Sequence, residues 1–195
     1  MSKGKVTRDN ILCQAFELAS ENGLESLTIG ELAKQCQMSK SGLFAHFNSK
    51  DNLQIAVIEY ANQVFIQRVI SPARQCDPLN QTQKIKALLD NWLGWNHSFQ
   101  GSCMFLDAWK DASLTQSPTQ KALQKTLTIW IDYLKIQVEK GVDTGEFSSF
   151  LDPQQATFEL YGLYLSAHLF YSTHGEQASY PHFWQGVERL MTSWK

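Results

Sequence analysis

Apolar residues recur through most of this chain at spacings of three and four positions, the period of an amphipathic α-helix. The first such stripe precedes Gly23, a residue type that commonly ends helices, and consists of Ile11, Leu12, Ala15, Phe16 and Ala19. The sequence has no sustained period-two alternation, and no Asn-Gly or Asp-Gly pair lies between β-rich runs. The pattern therefore predicts an all-α protein.

Capping residues and prolines set the predicted boundaries of about nine helices. Pro118 and Pro153 each follow a capping residue and fit the first helical position, where a missing N–H costs nothing. Pro181 is expected to open the last helix, and Pro72 and Pro78 are expected to bracket a short connector after the fourth. The predicted helices cover about residues 8–22, 29–35, 40–46, 49–69, 83–98, 102–113, 118–140, 153–173 and 181–194.

Residues 28–47 read TIGELAKQCQMSKSGLFAHF and contain two of these helices, joined by a short turn. Leu32, Met38 and Leu43 are spaced to face inward, and the small Ala33 lies where the second helix must cross the first. This is the helix-turn-helix pattern, in which the second helix enters a DNA major groove. Its exposed positions are small, polar or basic: Ser39, Lys40, Ser41, Gly42 and His46.

Three predicted helix N-termini in this region favour phosphate binding. Thr28 and Glu31 form a capping-box pair, and Ser39 and Ser49 are placed to cap the next two helices. Free N–H groups at such ends attract phosphate, and Lys40 and Lys50 add positive charge beside them. Capped short helices also occur in all-α proteins that bind no DNA, so the prediction depends on their combination with the ordered apolar and small positions.

From Thr7 to about Leu53 the chain resembles the TetR/AcrR family of repressors. The matching positions are Ala15, Gly23, Thr28, Ile29, Leu32, Ala33, Ser39, Leu43, His46, Phe47, Ser49 and Lys50. The resemblance implies that three N-terminal helices bind operator DNA and that a fourth links them to a ligand domain. It also implies phosphate contacts by Thr28 and Lys50, base contacts by Lys40, Ser41 and Gly42, and a place for His46 at the DNA backbone.

Two positions depart from the family pattern. Gln37 stands where the family has a glycine in a left-handed conformation, at a cost of about 1 kcal/mol. Phe44 replaces a tyrosine whose hydroxyl reaches a phosphate, although its ring can still contact a thymine methyl. The full predicted DNA-binding set is Thr28, Ser39, Lys40, Ser41, Gly42, Phe44, His46 and Lys50.

The helices after residue 80 are rich in tryptophan and tyrosine. Buried rings of these types need polar partners, and an apolar cavity with a few polar groups is typical of a ligand site. Aromatic residues at helical spacing also fill ordinary cores, and a core histidine is an equal reading of His168. The predicted effector-binding residues are Trp95, Phe99, Met104, Phe105, Trp109, Trp130, Tyr133, Phe158, Tyr161 and His168.

The predicted helices at 118–140 and 153–173 are apolar on more than one side, so each must bury two faces. Gly162 and Ser166 leave a flat strip on which another helix can pack, and the resemblance implies that the last two helices pair across a two-fold axis. Packing inside one subunit is the alternative, and the pattern does not decide which face of the 153–173 helix lines a cavity. The predicted dimer residues are Gly162, Ser166, Phe170, Trp184, Val187 and Met191.

Composition restricts the remaining classes of protein. Of 195 residues, 43% are hydrophobic and 18% are charged, which is typical of a folded domain, and the net charge is −2. The four cysteines are far apart and show no metal-ligand spacing, and no apolar run approaches the ~20 residues that span a bilayer. We therefore expect a cytoplasmic protein with no metal, no cofactor and no membrane contact.

These observations predict a helix-turn-helix DNA-binding domain over residues 1–50 and a helical ligand-binding and dimerisation domain over residues 51–195, joined through the long fourth helix. We expect a ligand-responsive repressor that binds a near-palindromic double-stranded operator as a homodimer and is released by a small, largely apolar effector. A helical metal-dependent enzyme is the alternative, because Asp107 and Asp111 share one helix face. No second pair of ligands completes that site, and the sequence lacks P-loop and nucleophile-elbow motifs, so catalysis is not expected.

Overall fold

The computed structural model describes residues 3–75, 80–97, 103–110 and 117–195 of the protein, and within these ranges every regular element is helical. The α-helices are α1 Lys3–Asn22, α2 Ile29–Gln35, α3 Lys40–Phe47, α4 Lys50–Phe65, α5 Ser71–Gln75, α6 Gln81–His97, α7 Met104–Lys110, α8 Pro118–Asp143, α9 Pro153–His174 and α10 Glu176–Ser193. A 3₁₀ turn covers Leu24–Ser26, and a π-helical turn covers Ile66–Ile70. The all-α prediction is confirmed.

The chain forms two compact units. The first unit consists of Met1–Ile66 and Ser102–Thr128, and the second of Gln67–Gly101 and Ile129–Lys195. The sequence-based division at residue 50 was made between an expected DNA-binding part and an expected ligand-binding part, and it does not coincide with the boundary between the compact units. That functional division stays a prediction.

The core of the first unit contains the apolar stripe predicted for α1, since Ile11, Ala15, Phe16 and Ala19 are buried. The inward positions predicted for α2 and α3 are buried with them, among them Leu32, Ala33 and Leu43. The buried amide of Gln54 donates to the Leu24 carbonyl at 2.9 Å, which ties α4 to the 3₁₀ turn. The short helices α2 and α3 are thus held by tertiary packing, because helices of this length are marginal on their own.

The fourth predicted helix continues beyond its predicted end. α4 passes into the π turn and then α5, so Pro72 lies inside a helical segment and its assignment to a connector is wrong. Proline lacks the N–H for an intrahelical bond, and a π turn directly before it accommodates the change. Side chains of α6 bond carbonyls in this stretch, since Asn91 donates to Val69 at 3.0 Å and Lys84 donates to Ala73 at 2.6 Å.

The predictions made for two prolines in the second unit compare differently with the structure. Pro153 follows Asp152, whose carboxylate accepts from the Gln154 amide at 2.8 Å, so this predicted helix start is confirmed. Pro181 lies inside α10, which begins at Glu176 after Gly175, so the predicted start at Pro181 is wrong. The helix extends past the proline on both sides because its inner face packs on α9, where the Ser179 hydroxyl donates to the Ala167 carbonyl at 2.6 Å.

A search of the described helices for one long and apolar enough to cross a membrane found none.

Candidate DNA-binding and effector-binding sites

Three hydroxyl caps hold the N-termini of α2, α3 and α4. Thr28 accepts from the Glu31 amide at 3.2 Å, Ser39 from the Gly42 amide at 3.1 Å, and Ser49 from the Asn52 amide at 3.1 Å. All three capping predictions are confirmed. Each hydroxyl satisfies one of the N–H groups that a helix leaves unbonded at its start, so the others remain directed outward.

The turn between α2 and α3 contains the left-handed residue that the sequence predicts. Gln37 has φ 53°, and the turn is closed by a hydrogen bond of 2.9 Å from the Met38 amide to the Ala33 carbonyl. Asn48, which ends α3, is also left-handed, with φ 64°. These conformations fix the direction of α3 at both ends, because each reverses the chain within one residue.

The predicted DNA-binding residues lie at the surface of the first unit, on α2, α3 and the start of α4. Six of them are exposed (Thr28, Ser39, Lys40, Ser41, Phe44 and Lys50), and Gly42 and His46 are half-buried. Phe44 keeps 49% of its surface exposed although it is aromatic. The opposite face of α3 carries the buried Leu43 and Phe47. The polar and apolar faces of α3 therefore separate as a groove-binding helix requires.

The ammonium group of Lys40 lies at the first turn of α2. A Cβ added at Gly30 would be 3.3 Å from Cε and 3.5 Å from Nζ of this lysine. A cation beside a helix N-terminus has no favourable interaction with the helix dipole. An anion at the same place is attracted both by the cation and by the positive end of the dipole. The resemblance implies a base contact for Lys40, and that stays a prediction; its position next to Gly30 also suits the phosphate contact that the capped helix N-termini predict.

Lys50 is held by Glu25, the central residue of the 3₁₀ turn. Its Nζ donates to the Glu25 carbonyl at 2.7 Å and lies 3.6 Å from the Glu25 carboxylate. Both side chains are largely exposed to solvent.

Arg8, on α1, holds the C-terminal end of α3 and was not identified from the sequence. Its Nη1 donates to the His46 carbonyl at 2.8 Å, and its guanidinium carbon lies 4.6 Å from the centre of the Phe47 ring. A cation at this end offsets the negative end of the helix dipole and satisfies a terminal carbonyl. No sequence spacing connects residues 8 and 46, so only the fold reveals the contact.

The second unit contains an aromatic cluster centred on Trp92. The Tyr164 ring stacks on Trp92 at 3.4 Å between centroids, and the rings of Trp130 and Tyr161 each lie 5.1 Å from it. Tyr133 continues the cluster from Trp130, at 6.1 Å. Three of the predicted effector residues, Trp130, Tyr133 and Tyr161, are brought together here, while Trp92 and Tyr164 were not assigned to the site.

The other predicted effector residues have varied surroundings. In the first unit, Phe105 packs edge-on against Phe65 at 6.3 Å and Met104 is buried, whereas Trp109 is 57% exposed. In the second unit, Trp95 is buried and His168 is half-buried. Phe158 is 71% exposed, on the outer face of α9 and away from the buried ring positions of that helix. Phe99 lies outside the described residues.

The outer face of α9 is an unusually apolar surface. Phe158, Leu165 and Leu169 are exposed there, at spacings that place them on one side of the helix together with Gly162 and the predicted dimer residues Ser166 and Phe170. A Cβ added at Gly162 would meet no atom within 4 Å. Of the dimer residues predicted on α10, Val187 and Met191 are buried inside the subunit and Trp184 is half-buried. Val187 and Met191 fill this chain's own core against α9.

Two stretches of the sequence match known protein families. Residues 11–57 match the family described as bacterial regulatory proteins, tetR family, and residues 82–187 match the tetracyclin repressor-like C-terminal domain. This chain belongs to the TetR family. It is therefore a DNA-binding transcriptional regulator and not an enzyme, as the sequence predicts.

Relatives of known description are TetR-type regulators as well. The regulator QacR of Staphylococcus aureus is 39% identical over 51 residues, which cover 26% of this chain and only 27% of QacR. The repressor NemR of Escherichia coli K12 is 22% identical over 165 residues, covering 84% of this chain and 82% of NemR.

Solved structures of TetR-family regulators share the fold. A regulator from Cytophaga hutchinsonii has a TM-score of 0.86 at 19% identity, covering 100% of this chain and 98% of its own. AibR, solved with isovaleryl coenzyme A and operator DNA, has a TM-score of 0.71 at 21% identity, covering 93% of this chain and 96% of its own.

The alternative enzyme prediction is not supported, because the matching family and the relatives are transcriptional regulators. Asp107 is on α7, and Asp111 lies outside the described residues. Within the part of the chain that the structure describes, no group of three His, Cys, Asp or Glu side chains could hold a metal ion. Burial raises the pKa of the Cys36 thiol, which disfavours the reactive thiolate.

Proposed function

We propose that this TetR-family regulator represses transcription by binding a near-palindromic operator as a homodimer, and that a small, largely apolar effector releases it. The observation that carries the proposal is the presence in the first unit of three capped helix N-termini together with exposed Lys40, which lies next to Gly30 in the first turn of α2, and exposed Lys50. Such a set of groups supplies several phosphate contacts at once, and these set the register of the helix that enters the groove. A regulator with this role works in the cytoplasm, beside the chromosome.

Phosphate and base contacts are divided between the two helices of the motif. Thr28 and the α2 N-terminus, together with Lys40 and Lys50, contact the DNA backbone. Ser41 and Gly42, in the first turn of α3, face the base edges, because small side chains allow the helix to approach them. The exposed Phe44 ring packs against a thymine methyl, and Ser39 and His46 lie at the ends of the contact.

Two copies of the chain pair through the outer face of α9. Phe158, Leu165 and Leu169 leave more exposed apolar surface than one subunit needs, and their spacings of seven and four match a helix-packing seam with Gly162 inside it. A face of this kind is self-complementary under a two-fold axis. We therefore assign Phe158 to the dimer interface rather than to the effector site. Val187 and Met191 are not part of the interface, because they are buried within the subunit.

The effector binds at the aromatic cluster around Trp92. Its five rings offer a large apolar surface, and the Tyr161 hydroxyl supplies a polar group that can orient a ligand. The structure of AibR with isovaleryl coenzyme A and operator DNA supports a small-molecule ligand in a protein of this fold. To lower the fraction of the regulator that can bind DNA from 99% to 1%, the effector must bind the state that cannot bind DNA more favourably by about 5.5 kcal/mol.

The operator is sought in the DNA that flanks the regulator's own gene. Nuclease footprinting with the purified protein is expected to show one protected, near-palindromic segment, and competing DNA of scrambled sequence is expected not to remove the protection. Protection without sequence preference, or none at physiological salt, would contradict a specific operator.

Effector coupling is tested by tryptophan fluorescence, with isovalerate, the small acyl part of the ligand in the AibR structure, as the first probe. Binding is expected to be weaker with operator present than without it, by the same factor by which the probe weakens operator binding. Trp92→Phe is expected to weaken probe binding, with Trp109→Phe, whose side chain is exposed on α7, as the matched control. A probe that binds equally tightly with and without operator would show that the cluster is not coupled to DNA.

A further inference from the structure

The second unit contains an open cleft of about 1030 Å³ beside the N-terminus of α6 and the C-terminus of α8. Its walls are predominantly polar and basic. Arg74, Lys84, Lys140 and Lys195 line it, and Glu146 is the single acid among the described lining residues. These four cations come from four separate parts of the chain, so no single helix end accounts for their convergence.

The charge of Glu146 is already committed to the protein. Its carboxylate accepts hydrogen bonds from the Gln81 amide at 2.7 Å, the Thr82 amide at 3.0 Å and the Thr82 hydroxyl, and so caps α6. Burial raises the pKa of Glu146, but these bonds and the charge of Lys195 together hold it below its ordinary value. The carboxylate thus interacts with the α6 N-terminus and Lys195, and it forms no ion pair with Arg74 or Lys140.

Arg74 and Lys140 are two cations of the cleft that have no carboxylate partner among the described residues. Arg74 donates from Nε to the Tyr133 hydroxyl at 3.1 Å, and its guanidinium carbon lies 5.1 Å from the centre of that ring. This contact fixes the guanidinium and uses one of its five N–H groups. Over the described ranges, neither Arg74 nor Lys140 forms an ion pair with an acidic side chain.

One further group in the cleft lacks a hydrogen bond. The Gln81 side-chain oxygen is buried and has no partner among the described residues. A buried acceptor without a donor is costly to a folded protein, so a ligand that carries a donor would satisfy it. The cleft thus combines fixed positive charge with an acceptor.

We propose that this cleft is a binding site for a small multivalent anion, a metabolite that carries phosphate groups or two or more carboxylates together with a hydrogen-bond donor. Arg74 and Lys140 bind the anionic groups, and Gln81 accepts from the donor. The volume is at the upper end of the range for small-molecule sites, which suits a ligand of nucleotide size. The site is separate from the DNA-binding surface, and its occupation requires no operator.

The test is isothermal titration of the full-length protein without DNA, at a fixed ionic strength of about 0.15 M. Inorganic pyrophosphate and citrate are the two probes, so that one arm reports phosphate recognition and the other carboxylate recognition. Saturable binding of at least one is expected. Arg74→Gln is expected to weaken it about tenfold, because it removes a charged hydrogen-bond donor, and Arg74→Lys less. Lys140→Gln is expected to weaken it roughly two- to fivefold.

Lys125→Gln is the matched control, since Lys125 is an exposed lysine on α8 that does not line the cleft. It is expected to leave probe binding unchanged. Lys140 is exposed, so its variant keeps the fold intact and the test does not depend on Arg74 alone. Absence of saturable binding for both probes, or equal weakening by Lys125→Gln and Lys140→Gln, would overturn the proposal. Neither result bears on operator binding.

Discussion

At the residue scale, the DNA-binding surface depends on side chains whose contacts add little to folding. The pair between Lys50 and Glu25 is exposed, and such pairs contribute about 0–1 kcal/mol to stability. The same pair places an acid next to a lysine that we assign to a phosphate. We therefore expect Glu25 to compete with DNA for Lys50.

Removing either member of this pair is expected to change operator affinity in opposite directions. Lys50→Ala should weaken binding to all sequences and reduce the slope of log affinity against log salt by about one unit, because one phosphate contact is lost. Glu25→Gln should strengthen binding a few-fold. Glu59→Gln, at an exposed position of α4 that we do not assign to DNA, is the control. Fluorescence anisotropy over a salt series measures both quantities, and an unchanged slope in Lys50→Ala would refute its phosphate contact.

Arg8 is expected to act on DNA binding through α3 rather than by direct contact. Arg8→Met retains the apolar stem but loses the bond to the His46 carbonyl, and should lower the free energy of unfolding by about 1 kcal/mol. Operator affinity should fall while the salt slope stays the same. Chemical denaturation and the same salt series separate the two effects, since a slope reduced by one unit would instead make Arg8 a phosphate contact.

At the element scale, the presence of the helices could be predicted from the sequence. The end of the helical segment that begins with α4 and the start of α10 could not. Apolar spacing and caps such as Ser39 and Asp152 are local signals, so the corresponding elements could be derived without the fold. The π turn before Pro72 and the start of α10 before Pro181 depend on tertiary contacts from Asn91 and Ala167. Proline is a reliable helix end only where no such contact compensates for the missing N–H.

The cap of α6 by Glu146 gives a pH-dependent prediction. A carboxyl group whose pKa is lowered in the folded state stabilises the protein above its ordinary pKa, and this contribution is lost as the pH falls through the lowered value. Glu146→Gln should therefore unfold more easily than the parent protein at pH 7, by about 1 kcal/mol.

The difference between Glu146→Gln and the parent should shrink as the solution is acidified below the ordinary pKa of glutamate, about 4.3. Urea denaturation at a series of pH values measures it, with Glu139→Gln on α8 as the control. A difference that stays constant down to the acid limit of folding would argue against an ionised cap.

At the scale of the whole molecule, the helix-turn-helix was easier to predict from the sequence than the residues of the dimer or effector sites. The helix-turn-helix is contiguous, so Thr28, Gln37 and Ser39 could be assigned from local order. Dimer residues are harder, because a position such as Val187 in the subunit core and one such as Leu169 on the outer face both require apolar side chains. The aromatic cluster joins α6, α8 and α9, and no local pattern identifies Trp92 as its centre.

Pairing through α9 predicts that one charge on its outer face separates the subunits. Leu169 is 60% exposed, so Leu169→Arg should leave the subunit folded but give a monomer in sedimentation equilibrium at about 10 µM, where the parent protein is expected to be dimeric. Phe150→Arg is the control, because Phe150 is 96% exposed but lies outside α9. A monomeric parent protein, or a dimeric Leu169→Arg variant, would contradict this interface.

The central claim, that two linked copies read two half-sites, is tested most directly by changing the spacing of the operator. A dimer places its two α3 helices in successive major grooves on one face of DNA, so the half-sites must keep their rotational relation. Inserting about five base pairs, half a helical turn, between the half-sites should abolish tight binding in fluorescence anisotropy, while inserting about ten should restore part of it. Equal affinity for the native and the five-base-pair operators would contradict the account.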